Sequence, residues 1–538
     1  MSVLIELREG LLVAGWRVFW VPTGASPGGV RPSLVQGWDD LAGAERRAGI
    51  RPGDPILLAP DYRVDELLCL YFRTRRFRRY TAETKRNYAT DICLFLNFLW
   101  ARGLAWTQAV TEDMDDYEDW RRFAPDNASP VGGAKWDREL AGLARLYTWA
   151  EGRELIPQNP VAMKEIVGRD GTVIRVPAGK AKDAKRSDVR WLTPRAWRRW
   201  VNVGLRGHSA VGLPDPEWAG RMEDRNVAFA DLLYSSGMRL SEGGSLVTFE
   251  VPSIRLRGGR YYVGRIAAAV TRSKKSRTFY VAVHVLGAVE AYQQGLRAET
   301  VRRAQAAGRY DAVTDMLLVT QVTTGTKRQV HWCDRNGVLG RKALADLTVA
   351  ERMTLYTEGP RGPEPLWLWL NEQGLPFRVS SWENVFRAAN ERCRTVLDPP
   401  PGTPGFDPYR SVAPQATPHS ARHSFALYML VVLHYLMDHK FGLTPEERRD
   451  FRLLYGDPWR MVQDLLGHAD LETTRAIYLA PVADLQLRSL LESAPLVGGG
   501  EAKPEGSLDE LFARVARETE GIQDIDARLE VQRKGHAR

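Results

Sequence analysis

Two stretches early in the chain repeat apolar residues at three- and four-residue spacing, and that period fits one backbone conformation. Tyr88, Ile92, Phe95, Leu96 and Leu99 fall on one face of a helix. Trp136, Leu140, Leu143, Leu146, Tyr147 and Ala150 fall on one face of a second. That second helix ends near Gly152, because Pro157 and Pro160 forbid its continuation. Two such faces bury each other most simply in a small helical bundle over residues 62–160. A basic run, Phe72–Tyr80, leads into it, and Arg75, Arg76, Arg78, Arg79 and Lys85 are its candidate contacts to phosphate. In that role its Phe and Tyr pack beneath the arginines; the bland reading of Arg73–Arg79 is a solvated face.

Composition limits the rest. A chain of 538 residues suggests three or four units at roughly 100–200 residues each. With 44% apolar and 26% charged residues it is ordinary globular material and not a disordered one. The net charge of +9 comes mostly from arginine, since only 13 residues are lysine, and it favours a polyanionic partner. Cys69, Cys93, Cys333 and Cys393 stand singly, which argues against a disulfide framework or a cysteine-rich zinc module and fits a reducing cytoplasm. No run of apolar residues is long enough to span a membrane, and Glu6, Arg8 and Glu9 interrupt the first apolar run, so no secretory signal is expected. These features predict a soluble cytoplasmic protein with no membrane partner.

Around the bundle, residues 1–61 read as an N-terminal accessory region and 161–190 as an exposed linker without an apolar face. Thr193-Pro194 looks like an N-cap followed by proline at the first helical position. Residues 191–495 alternate helices with a hairpin expected around 262–283, and 290–365 read as an insertion holding a charged helix and turn-rich sequence. The tail, 496–538, carries a capping box at Ser507 and Glu510 ahead of Leu508, Leu511, Phe512 and Val515. The expected fold class is mainly α with a small antiparallel β-sheet: a helical domain followed by a mixed α+β domain.

Four clusters in the second domain carry chemistry. Tyr234–Glu242 breaks a helix at Gly237 and restarts it, with Arg239 and Glu242 three apart and able to pair. Thr271–Arg277 is a basic turn between two β-prone runs. Thr417-Pro418 starts a helix that puts His419, Arg422 and His423 on one face. In the fourth, Gly467 ends a helix, His468 follows, and the next helix carries Tyr478. Guanidinium groups grip phosphate oxygens bidentately and oppose the charge that develops there. A tyrosine hydroxyl, with a pKa of about 10, needs a base and positive surroundings to attack at neutral pH. Histidine can be that base, and a lysine can donate the proton to a departing 5′ oxygen. The arginines supply the positive charge, so the set requires no metal and no cofactor. Read singly, Arg239 and Glu242 form an ordinary helical ion pair. The four-residue spacing of His419 and His423 invites zinc, but Ser420 stands where the HExxH pattern has Glu.

The order and wording of these clusters resemble the tyrosine recombinases, or phage integrase family. Gly237-Met-Arg-Leu-Ser-Glu242 is similar to the family's first-arginine box, His419-Ser-Ala-Arg422-His423 to its His-x-x-Arg box, and Leu466-Gly-His468 to its second histidine. Tyr80–Phe98 and Trp136–Pro160 resemble the family's helical core-binding (SAM-like) DNA-binding domain, so the likeness covers most of residues 62–160 and 191–485. It implies that Arg239 and Arg422 clamp the scissile phosphate, His419 assists proton transfer, His468 hydrogen-bonds a phosphate oxygen and Glu242 buttresses the arginines. Tyr478 becomes a 3′-phosphotyrosine, strand exchange follows when a partner strand's 5′-hydroxyl attacks it, and neither ATP nor metal is needed. It further implies two lobes closing on double-stranded DNA at specific recombination sites, a DNA-bound homotetramer, and room for an accessory DNA-bending or directionality protein. Integration, excision, dimer resolution and transposition of mobile elements share this chemistry in the bacterial nucleoid.

The chain departs from the family pattern twice. Tyr478 lies one residue farther from His468 than is usual, which a longer turn after Gly467 absorbs. In the hairpin, one alignment puts Arg272 at the lysine position and a two-residue shift brings in Lys274, so Lys274, Lys275 and Arg272 all stand as candidates for the general acid, with Lys274 preferred. The rival functions are a type IB topoisomerase-like strand cleavage and a catalytically inactive DNA-binding or architectural relative.

Overall fold

The computed structural model describes residues 15–21, 43, 47–167, 172–181, 190–254, 261–325, 327–399, 402–403, 411–435 and 458–467. Contacts divide the chain into two units, Met1–Asp188 and Val189–Arg538.

The first unit is built on the two periodic stretches. After a hairpin of β1 (Arg17–Trp20) and β2 (Pro55–Leu58) come α1 (Glu66–Arg73), the short α2 (Arg75–Arg78), α3 (Ala82–Ala101), α4 (Thr111–Arg122) and α5 (Gly133–Glu151). Thr81 caps α3, its hydroxyl accepting from the Thr84 N–H at 3.1 Å. Every member of the two apolar stripes is buried in one core. β2 joins that core, because alternation along Pro55–Leu58 turns Leu57 inward against Leu68 and Phe72. Trp16 at the head of β1 is tied to α3 in both directions: its N–H donates to Asn97 Oδ1 at 2.8 Å and its carbonyl accepts from Asn97 Nδ2 at 3.1 Å. The described part of the N-terminal accessory region is thus packed onto the bundle. Residues 161–190, read from sequence as a linker, carry a hairpin, β3 (Met163–Val167) against β4 (Val173–Pro177), with Ile166 opposite Ile174. Ile166, Val167, Val173 and Ile174 are all exposed, and a strand pair with no buried face leaves no alternating pattern to read.

The second unit opens with α6 (Pro194–Trp200), capped as its sequence predicts by the Thr193 hydroxyl, which accepts from the Ala196 N–H at 3.2 Å. α7 (Glu223–Ser236) and α8 (Leu240–Gly244) follow, then the hairpin of β5 (Tyr261–Ile266) and β6 (Arg277–Ala282), antiparallel, where the sequence places one. α9 (Val283–Tyr292) and α10 (Ala298–Ala306), the charged helix of the insertion, lead into β7 (Leu317–Val322), β8 (Gln329–Asp334), β9 (Leu339–Ala343), α11 (Val349–Met353), β10 (Leu355–Gly359) and β11 (Gly362–Pro365). These strands form a five-stranded sheet in the order β11-β10-β7-β8-β9. It is not wholly antiparallel: β10 runs parallel to β7, a pairing that the long excursion through β8, β9 and α11 makes reachable. The long α12 (Trp382–Leu397), α13 (Pro418–Tyr435) and α14 (Pro458–Leu466) complete the described unit.

Three buried arginines fasten this unit internally. Arg352 binds Glu250 at 2.6 Å and the carbonyls of Ser245, Leu344 and Leu347. Arg297 donates to the carbonyls of Pro365, Trp367 and Leu368, and Arg225 to that of Leu370 at 2.7 Å. The irregular run after β11 is paired only at isolated bridges, Trp367 with Val247 and Leu370 with Pro376, and guanidinium donors satisfy carbonyls that a longer strand partner would take. Trp367, Trp369 and Trp382 are fully buried there, with Phe229 stacked on Trp382 at 3.6 Å between centroids.

Candidate phosphate-gripping site

The site grows from the break between α7 and α8. Gly237 ends α7 in the left-handed region at φ 61°, and a Cβ there would lie 2.3 Å from the Phe425 ring. The chain can therefore reverse while keeping α13 in contact, and Arg239 becomes the N-cap of α8. Glu242 sits three residues on and is fully buried. Its Oε2 accepts from the Arg239 N–H at 2.8 Å and its Oε1 from Arg239 Nη1 at 3.2 Å, so one carboxylate caps the helix and aims the arginine. Arg239 keeps a quarter of its side chain exposed, outward of this anchor.

A second arginine completes the carboxylate's coordination. Arg277, the first residue of β6, donates from Nη2 to Glu242 Oε2 at 2.5 Å and from Nη1 to the Leu465 carbonyl at 2.7 Å. Arg422, on the first turns of α13, is buried and donates to the carbonyls of Gly237 and Leu466, each at 2.5 Å. The last carbonyls of α14 thus meet two guanidinium groups, the sign of charge that a helix C-terminus attracts. Burial alone would raise the Glu242 pKa, but the charge and hydrogen bond of Arg277, the Arg239 N–H and the charge of Arg422 outweigh it and hold the carboxyl below its ordinary range. Three guanidinium groups around one carboxylate leave an excess of positive charge, which suits an anion.

α13 starts where its sequence says. The Thr417 hydroxyl accepts from the Ser420 N–H at 3.0 Å, and Ser420 Oγ accepts in return from the Thr417 N–H at 2.8 Å. His419 is exposed on the first turn, edge-on to His423 with ring centroids 4.2 Å apart. Partial burial, then the charges of Arg422 and Arg239, push the His419 pKa below its ordinary value, so the imidazole is neutral at neutral pH.

The structure therefore gathers Arg239, Glu242, His419 and Arg422 from the sequence reading into one place. Lys274 is turned elsewhere: it occupies the hairpin turn at φ 55°, exposed, and its Nζ donates to the Ala269 carbonyl of the same hairpin at 2.9 Å. Arg272 and Lys275 are exposed on that turn too. His468 and Tyr478 lie outside the described residues, as does the tail whose capping box the sequence places at Ser507 and Glu510.

Arg277 is the residue the sequence reading missed, having placed it in the basic turn. A signal existed: Arg277, Phe279 and Val281 alternate along β6, Phe279 and Val281 are apolar, and the same period turns Arg277 inward with them.

In the first unit, Arg75, Arg76 and Arg79 are exposed and Lys85 is half-buried. Arg78 differs from its neighbours. Its guanidinium binds the buried Asp54 with Nη2 on Oδ2 at 2.5 Å and Nε on Oδ1 at 3.3 Å, a bidentate pair that ties α2 to the segment before β2.

No family model matches the chain, and no curated protein does. Among solved structures it is similar to the XerH site-specific recombinase bound to palindromic difH substrate, at 12% identity over 81% of this chain and 87% of that one, TM-score 0.40. It is similar to the Tn1549 transposon integrase in complex with a circular intermediate DNA, at 11% identity over 78% and 99%, TM-score 0.42. A lambda integrase dimer bound to a COC′ core site aligns at 10% identity over 82% and 99%, TM-score 0.37. No helix among the described residues is long and apolar enough to cross a membrane.

Proposed function

We propose that this chain is a site-specific DNA recombinase that cuts and rejoins strands through a 3′-phosphotyrosine at Tyr478. The observation that carries the reading is the convergence on Glu242: one buried carboxylate orders Arg239 and Arg277 beside Arg422 and a neutral His419, from three segments distant in sequence. In the proposed reaction Arg239 and Arg422 face the non-bridging oxygens of a scissile phosphate and oppose the charge of its pentacoordinate transition state. His419, already neutral, accepts the Tyr478 hydroxyl proton as the tyrosine oxygen bonds to phosphorus. The bond to the 5′ oxygen breaks, and that oxygen takes a proton from the hairpin turn, where Lys274 is the preferred donor once its Nζ swings away from the Ala269 carbonyl. Attack by a second 5′-hydroxyl on the phosphotyrosine reverses these steps and joins a new partner. One phosphodiester is exchanged for another at each stage, so no nucleotide triphosphate is consumed. The exposed Arg75, Arg76 and Arg79 and the half-buried Lys85 would meet the DNA backbone, and four protomers would synapse two sites.

The test is a suicide-substrate assay. The protein is mixed with nicked duplexes drawn from the flanks of its own gene, in EDTA, and resolved on a denaturing gel. A covalent protein–DNA band that vanishes in Tyr478→Phe is expected, with DNA binding kept. A salt-sensitive gel shift with no band favours the non-catalytic DNA binder, and relaxation of a plasmid lacking any site favours the topoisomerase.

A further inference from the structure

We infer that Arg277 is a positioning residue that couples the Glu242–Arg239 anchor to the end of α14, and so sets the segment leading to His468 against the phosphate-gripping arginines. This rests on the recombinase reading of the same site and adds a member to it.

Three observations bear on it. Arg277 is the one side chain that touches both Glu242, at 2.5 Å, and the Leu465 carbonyl, at 2.7 Å, among the described hydrogen bonds of this site. It is about nine-tenths buried and commits Nη2 to the Glu242 carboxylate, which suits it to holding that anchor in place. Its stem also lies against Gly467, where a Cβ would fall 2.7 Å from Arg277 Cδ, so the left-handed residue that ends α14 at φ 63° is fitted to this side chain. A planar fork can bridge an acidic and a carbonyl acceptor at once, whereas lysine offers a single charged point. The groups facing Glu242 are Arg239 from its own helix, Arg277 from β6 and Arg422 from α13. Removing Arg277 deletes the strongest charge that keeps Glu242 ionised, and burial then acts on the carboxyl with less opposition.

The experiment compares full-length wild type, Arg277→Ala and Arg277→Lys by single-turnover cleavage of the suicide duplex across pH, by DNA affinity, and by amide exchange over residues 458–467. Arg277→Ala should slow cleavage about 100-fold, the scale of a displaced catalytic group. The acid limb that Glu242 contributes, a second and steeper fall below the one set by His419, should move to higher pH, and its affinity should stay within about twofold because phosphate-backbone contacts dominate binding. Arg277→Lys should restore the acid limb, through the renewed charge beside Glu242, more fully than the rate. Amides near the C-terminus of α14 should exchange faster in Arg277→Ala than in wild type. Wild-type cleavage in Arg277→Ala, or a slower rate with an unmoved acid limb, overturns the inference. Should wild type itself not cleave, the recombinase reading fails, and the coupling is judged on exchange alone: unchanged exchange at 464–467 overturns it, faster exchange supports it.

Discussion

Replacing Glu242 by glutamine keeps the side chain's volume and removes its charge, which makes Glu242→Gln the sharpest probe of the site. The carboxylate accepts three hydrogen bonds, from the Arg239 N–H, Arg239 Nη1 and Arg277 Nη2, at zero exposure. An amide offers one accepting oxygen and one donating nitrogen, so at least one guanidinium must face an N–H. Breaking a buried pair while leaving its partner charged costs about 3–5 kcal/mol. At about 2 °C per kcal/mol for a domain of this size, the second unit should melt roughly 6–10 °C lower by calorimetry. A double-mutant cycle with Arg277→Gln should return a coupling of about 1.5–3 kcal/mol, because the second change removes the stranded charge. The pH dependence follows from sign. The folded-state pKa of Glu242 is depressed, so its stabilisation is complete above the ordinary carboxylate range and is lost as pH falls through the depressed value. Wild type should therefore lose more stability on acidification than Glu242→Gln does. Equal melting temperatures, additive single changes, or parallel acid profiles would refute the assignment of Glu242 as the anchor.

Three further outcomes are expected. Gly237→Ala places a methyl against Phe425 at a left-handed position, so it should destabilise by at least about 1–2 kcal/mol in denaturant unfolding and reduce DNA cleavage by displacing Arg239 and Arg422 together. Arg78→Ala should lower the stability of the first unit by about 1–3 kcal/mol with the salt slope of DNA binding unchanged, while Arg79→Ala should leave stability alone and reduce that slope by about 1; the reverse pattern in salt titrations would exchange their roles. His419 should stay neutral well into mild acid, so the cleavage rate should hold down to about pH 6.5 and fall only below it, and an acid limb above that value would show that another group titrates.

The long amphipathic helices were legible because their period is a property of neighbouring residues. Tyr88 through Leu99 and Trp136 through Ala150 needed no partner to declare which side faces inward. The Thr193 and Thr417 caps were legible for the same reason, since a cap is settled within four residues. The strands β1, β2 and β7 to β11 were not. Each is four to six residues long, and the parallel register of β10 on β7 is decided by what lies far away in sequence. Within the site, Arg239, Glu242, His419 and Arg422 sit in short motifs that neighbouring residues make readable. Arg277 carries no such wording, because a strand arginine that turns inward differs from one that turns outward only in phase. Lys274 shows the converse: its type fits an acid, yet its reach is decided by the turn's backbone, and in this structure that turn directs it to Ala269.

The arginines of the site reach far along the chain, and this bears on how the molecule comes into being. Arg277 and Leu465 are 188 residues apart in the chain, and Arg422 and Gly237 are 185 apart. Closing spans of that length defers the reward of the contacts until most of the chain is ordered, which places them among the later events of folding. A nascent chain still short of Arg422 holds Glu242 and its two nearer arginines but has no opposing wall. The arrangement that grips an anion thus becomes complete only once α13 and α14 have been made, and a fragment cut before α13 carries the acidic anchor without the pincer.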